Sequence, residues 1–93
     1  MKGRNAEYLA KKELEDNNFF VVRMAGSHSP FDLIAFDVNV VRLIQVKSCN
    51  KRAYTSEVKN ATKKIENVKN LFPLNCKFEI WMKNAKKFDK VVL

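Results

Sequence analysis

Histidine is almost missing from this 93-residue chain. With His28 as the one imidazole, a zinc centre built on several histidines is excluded, and serine–histidine catalysis would have a single ring to work with. No G-x-S-x-G elbow accompanies that ring. Cysteine is limited to Cys49 and Cys76, which lie far apart and share no metal-ligand spacing. They read as reduced thiols of a reducing compartment rather than as a disulfide framework. No apolar run approaches the ~20 residues of a membrane span. The N-terminus carries no apolar leader, so the expectation is a cytoplasmic protein with no membrane partner.

Glycine and proline contribute two residues each, and Gly3, Gly26 and Pro30 fall at element boundaries. There is no linker, repeat or low-complexity tract, so residues 1–93 are expected to form one domain. Acids are the minority charge, with ten Asp and Glu against eighteen Lys and Arg, a net charge of +8. Such an excess attracts polyanions, nucleic acid first among them. A lysine-rich surface can also follow from codon usage, so charge needs a site beside it. Hydrophobic residues make up 46% of the chain and include seven Phe and one Trp. That supports one modest core and leaves dimerisation as a natural supplement. Phe72, Trp81, Val91, Val92 and Leu93 are candidates for dimer burial or simply for core.

Along the chain, residues 4–16 read as a helix whose stripe is Ala6, Leu9, Ala10 and Leu14, stopped by Asn17 and Asn18. Residues 19–24 form a β-rich run, 25–30 a loop, 31–36 a second strand, 37–39 a tight turn and 40–47 a third strand. Residues 49–54 are polar and basic, which makes Lys51 and Arg52 candidates for nucleic-acid contact. A second helix, capped by Thr55 or Ser56, carries Val58, Ala61, Ile65, Val68 and Phe72 on one face and ends at Pro73. Residues 78–82 and 88–93 are further strands. The order α-β-β-β-α-β-β predicts an α/β fold, a mixed central sheet flanked by helices.

Strand parity singles out a group of polar residues. Val41, Leu43, Gln45 and Lys47 share one face of the third strand, which turns polar only at its end. Asp32, Ile34 and Phe36 share a face of the second strand, with the polar residue at its start. A hairpin turning at residues 37–39 brings Asp32, thirteen positions before Gln45, alongside Gln45 and Lys47. Glu7 lies at the border of the first helix's apolar stripe and completes the set. A carboxylate, an amide oxygen and an ammonium suit phosphodiester hydrolysis with Mg²⁺ or Mn²⁺, a hard cation held by oxygen ligands. Asp32, Gln45 and Glu7 are the candidate metal ligands, the Val46 carbonyl is a further candidate oxygen, and Lys47 would stabilise developing phosphate charge.

Lys2-Gly3-Arg4 with Glu7, the strand ending in Ala25-Gly26-Ser27, Pro30-Phe31-Asp32-Leu33-Ile34-Ala35, and Leu43-Ile44-Gln45-Val46-Lys47-Ser48 together resemble the archaeal Holliday junction resolvases of the PD-(D/E)xK nuclease superfamily. The resemblance implies a restriction-endonuclease-like α-β-β-β-α-β core. It also implies an Mg²⁺-dependent endodeoxyribonuclease acting on DNA four-way junctions as a homodimer. By the same resemblance Glu7, Asp32 and Lys47 are catalytic, and Ser27 or Ser29 matches a loop serine near the scissile phosphate. Lys2, Arg4 and Arg23 match residues that contact backbone phosphates. Gln45 stands where the family carries glutamate, which lowers the formal ligand charge from −3 to −2 if Glu7 is counted. Glutamine here is similar to the QxK branch of restriction-type nucleases, so cutting of linear duplex DNA and a binding protein with a degenerate site are the alternatives.

Overall fold

The first helix ends where its sequence says it must. In the computed structural model, which describes residues 2–24, 29–48, 52–73, 75–84 and 87–93 with side chains from Asn5 onward, α1 spans Lys2–Asp16. Ala6, Ala10 and Leu14 recur every four residues and are all buried. Asn18 then adopts a left-handed conformation, φ 70°. Its N–H reaches the Glu15 carbonyl at 3.0 Å and the Phe19 N–H reaches that of Leu14 at 3.1 Å. This is the Schellman arrangement, with asparagine in the position that tolerates positive φ.

The strands are β1 (Phe20–Arg23), β2 (Leu33–Phe36), β3 (Val41–Ser48), β4 (Cys76–Asn84) and β5 (Lys87–Val92), in the spatial order β1-β2-β3-β4-β5. Only β3 and β4 run parallel. Parallel neighbours require a crossover, and α2 (Tyr54–Val68) supplies it. The fold is therefore α/β, a mixed five-stranded sheet with two helices.

Each face of the sheet has its own core. Ala6, Ala10 and Leu14 of α1 pack on Val21, Leu33, Ala35, Ile44, Val46 and Trp81. Ala61 and Ile65 of α2 pack with Phe31, Leu43, Phe78, Ile80 and Met82 on the other side. The period-two reading of β3 holds: Leu43 faces α2, while Ile44 and Val46 face α1.

Three details differ from expectation. The helix begins at Tyr54 rather than after a Thr55 or Ser56 cap, and Ala53 holds the N-cap position with no side-chain hydrogen bond. The helix ends at Val68, followed by one 3₁₀ turn (Lys69–Leu71). Phe72 is extended, φ −111° and ψ 153°, as the residue before a proline must be. Its ring still enters the α2-side core, 5.8 Å from Phe31 and 5.6 Å from Phe78. Trp81 is 1% exposed, so this residue belongs to the core and not to a surface free for dimerisation.

Glu79 is a buried acid made tolerable by its neighbours. Arg42 donates to both of its oxygens at 2.6 Å, and the Trp81 indole donates at 2.8 Å. Burial pushes the carboxyl up, but these hydrogen bonds and the charges of Arg42 and Lys90 outweigh it and hold Glu79 below the ordinary glutamate range. A depressed folded pKa contributes stability above the unfolded value, and that contribution is lost as pH falls through the folded one. Glu79→Ala is therefore expected to destabilise the domain by about 3–5 kcal/mol in urea unfolding at pH 7, because it strands Arg42. The deficit should narrow in acid, where the wild-type carboxylate is also neutralised.

Candidate active site at the start of β2 and the end of β3

Asp32 sits one residue before β2 and is fixed through its backbone on both sides. Its N–H donates to the Ile44 carbonyl at 2.9 Å, and its own carbonyl accepts from Met24 N–H at 2.9 Å. The β2–β3 ladder ends at Leu33↔Ile44, and Asp32 lies just outside it, at the end of β3 that carries Gln45. Its Oδ2 accepts the Val46 N–H at 2.8 Å. Burial raises the pKa of this carboxyl. The Val46 N–H works against the rise, the negative charge of Glu7 adds to it, and Lys47 and Arg23 oppose it. The net result lies above the ordinary aspartate value.

Gln45 is 8% exposed, and its Oε1 is buried with no hydrogen-bond partner among the described residues. A buried acceptor left open costs about 1–3 kcal/mol, so this oxygen calls for a partner, a water or a cation among them. Lys47, two residues on, shares its face of β3, and its Nζ lies 3.6 Å from Glu57 Oε2 on the first turn of α2. Glu7 comes from α1, with its Oε1 3.4 Å from Arg23 Nε. The structure thus gathers Glu7, Arg23, Asp32, Gln45 and Lys47 at one end of the sheet.

The donor set can be judged on its own chemistry. An anionic carboxylate beside an unpartnered amide oxygen suits a hard cation, which prefers oxygen. Among the described residues no group of three or more His, Cys, Asp or Glu could hold a metal ion. A cation here would accordingly depend on the neutral Gln45 oxygen, with Asp32 as its main anionic ligand and Glu7 in electrostatic reach.

The remaining candidates divide into two groups. Ser27 and Lys51 lie outside the described residues, as do the side chains of Lys2 and Arg4. Ser29 Oγ accepts the Phe31 N–H at 3.1 Å and contacts Met24 Sδ at 3.8 Å, so this hydroxyl shapes the loop that leads into Asp32. Arg52 is exposed in the turn before α2. Two contributions escaped the sequence reading. Val46, expected to offer its carbonyl, meets Asp32 through its N–H, an atom without a side-chain signature. Glu57 was legible only as an acid in the first turn of a helix.

No protein-family model matches the chain, and no curated protein matches it in sequence. Among solved structures, Hjc of Archaeoglobus fulgidus, a Holliday junction resolvase from an archaeal hyperthermophile, is similar with a TM-score of 0.57 and 18% identity. The match covers 99% of this chain and 84% of that one. At this identity the likeness is one of fold, and the nuclease fold of that resolvase is the fold of this chain.

The raised Asp32 pKa makes a directional prediction for the metal-free protein. A carboxyl with a folded pKa above its unfolded value adds stability below the unfolded value, and loses it as pH rises through the folded one. At neutral pH the Asp32 carboxylate is therefore a burden on folding. Asp32→Asn, which keeps an oxygen for the Val46 N–H, should raise the melting temperature at pH 7. In scans at successively lower pH the gain should shrink toward zero.

Proposed function

We propose that this chain, carrying the fold of a Holliday junction resolvase, is a Mg²⁺- or Mn²⁺-dependent endonuclease that cuts branched DNA, with the four-way junction as substrate and a homodimer as its working form. The observation that carries the reading is the Asp32 carboxylate, held by the N–H of Val46, the residue that follows Gln45 with its buried Oε1. A divalent cation bound by these oxygens would polarise a scissile phosphate and acidify the attacking water. Asp32 supplies anionic charge, and its fixed backbone leaves little of that geometry to be organised on binding. Lys47 is placed to meet negative charge as it develops on the phosphate. Glu7 would hold water or add a ligand. Arg23, half exposed beside it, is suited to a backbone phosphate. Ser27, Lys2, Arg4, Lys51 and Arg52 would extend the contact, in keeping with the net charge of +8.

A second reading has one observation in its favour. Gln45 is neutral and Glu7 is engaged by Arg23, which leaves Asp32 as the acid of this group with no ion pair among the described residues. The chain would then bind junctions without cutting them.

Incubating a synthetic four-way junction with the protein and Mn²⁺ separates these readings. Wild type should cleave, and Asp32→Ala should lower the rate by about 10²–10³-fold, the scale of losing one transition-state stabiliser. Gln45→Glu should tighten Mn²⁺ binding. Equal cleavage by wild type and Asp32→Ala would sink the assignment of Asp32. Junction binding without cleavage would select the second reading, and equal cutting of linear duplex would remove the junction preference.

A further inference from the structure

The lysine of the candidate site does not lie against the acid beside it. Lys47 Nζ is 3.6 Å from Glu57 Oε2, and no ion pair joins Lys47 to Asp32 among the described residues. Lys47 nevertheless stays close enough to Asp32 to influence its acidity. Two carboxylates therefore compete for one ammonium on a flexible four-carbon stem. The competition matters because an ammonium is the natural rival of a metal ion here. It is cationic, has three N–H donors, and would satisfy both the Asp32 carboxylate and the orphaned Gln45 oxygen.

Glu57 is mounted to win that competition. Its backbone N–H is bonded to the Ala53 carbonyl at 2.8 Å within the first turn of α2. Ala61 and Ile65 anchor the same helix in the core. The carboxylate is thus presented to Lys47 from a packed element, 3.6 Å from its Nζ. An acid in the first turn of a helix also complements the helix dipole, which is its ordinary role. That role leaves the position of Lys47 unconnected to it.

We propose that Glu57 is a positioning residue that draws the Lys47 ammonium off Asp32 and Gln45, so that these two oxygens stay open to a divalent cation. The inference rests on the cation-dependent reading of the site. It assigns α2 a part in the chemistry, although that helix carries none of the motif residues.

The test is Mn²⁺ binding, followed by electron paramagnetic resonance, to wild type, Glu57→Gln, Lys47→Met and the double variant. Glu57→Gln should weaken binding about fivefold, the scale of one partly exposed ion pair. In the Lys47→Met background the same change should have no effect, because no ammonium remains to intrude. Equal losses in both backgrounds would mean that Glu57 acts only through its charge, and would overturn the proposal while leaving the cation site standing. A wild type that binds no Mn²⁺ overturns the cation reading and this proposal together. The ¹⁵Nζ resonance of Lys47 in metal-free protein gives a readout independent of metal and of cleavage. It should move in Glu57→Gln, and an unchanged resonance rejects the hold of Glu57 on Lys47.

Discussion

The register of β3 is the constraint on which the candidate site depends. This strand is hydrogen-bonded on both sides, antiparallel to β2 and parallel to β4, and it contributes to both cores. Leu43 is committed to the α2 side, Ile44 and Val46 to the α1 side. A slip of one residue would exchange those faces and bury Arg42 and Gln45 in the wrong cores. The pairing that keeps Ile44 and Leu43 in place also brings Asp32 to the Gln45 end of β3, where the Val46 amide meets its carboxylate. The geometry of the candidate site is a by-product of hydrophobic register.

The chain contains two semi-buried acids whose surroundings lead to opposite outcomes. Glu79 is met by three donors from Arg42 and Trp81, with Lys90 nearby, and its acidity is enhanced. Among the described residues Asp32 has one backbone donor, a second acid in electrostatic reach and no ion pair, and its acidity is reduced. With Gln45 Oε1, the one buried side-chain oxygen left without a partner among the described residues, this end of the sheet is where demand is unmet. Proteins place such unsatisfied groups where a ligand is to complete them, and stability is the quantity given up.

Much of this was legible in the sequence because it is local. The Ala6-Ala10-Leu14 stripe, the stop at Asn17 and Asn18, and the alternation along β3 are set by residues within one or two turns of each other. The hairpin at residues 37–39 is also short enough for register to follow from parity alone, which is how Asp32 meets Gln45. What escaped depends on distant partners or on the main chain. Arg42 and Glu79 are 37 positions apart and joined only by the parallel pairing through α2. Glu57 needs the crossover to carry it back over β3. The helix start was misplaced because Thr55 and Ser56 have the right chemistry for a cap, yet the chain enters its helical turn earlier, at Ala53.

The grip on Asp32 comes from a peptide N–H, an atom that every amino acid except proline carries. Position 46 is therefore answerable only to the apolar packing around it, and substitutions among aliphatic residues there leave the anchor intact. A centre fixed by main-chain atoms can outlast the side-chain pattern by which relatives are detected.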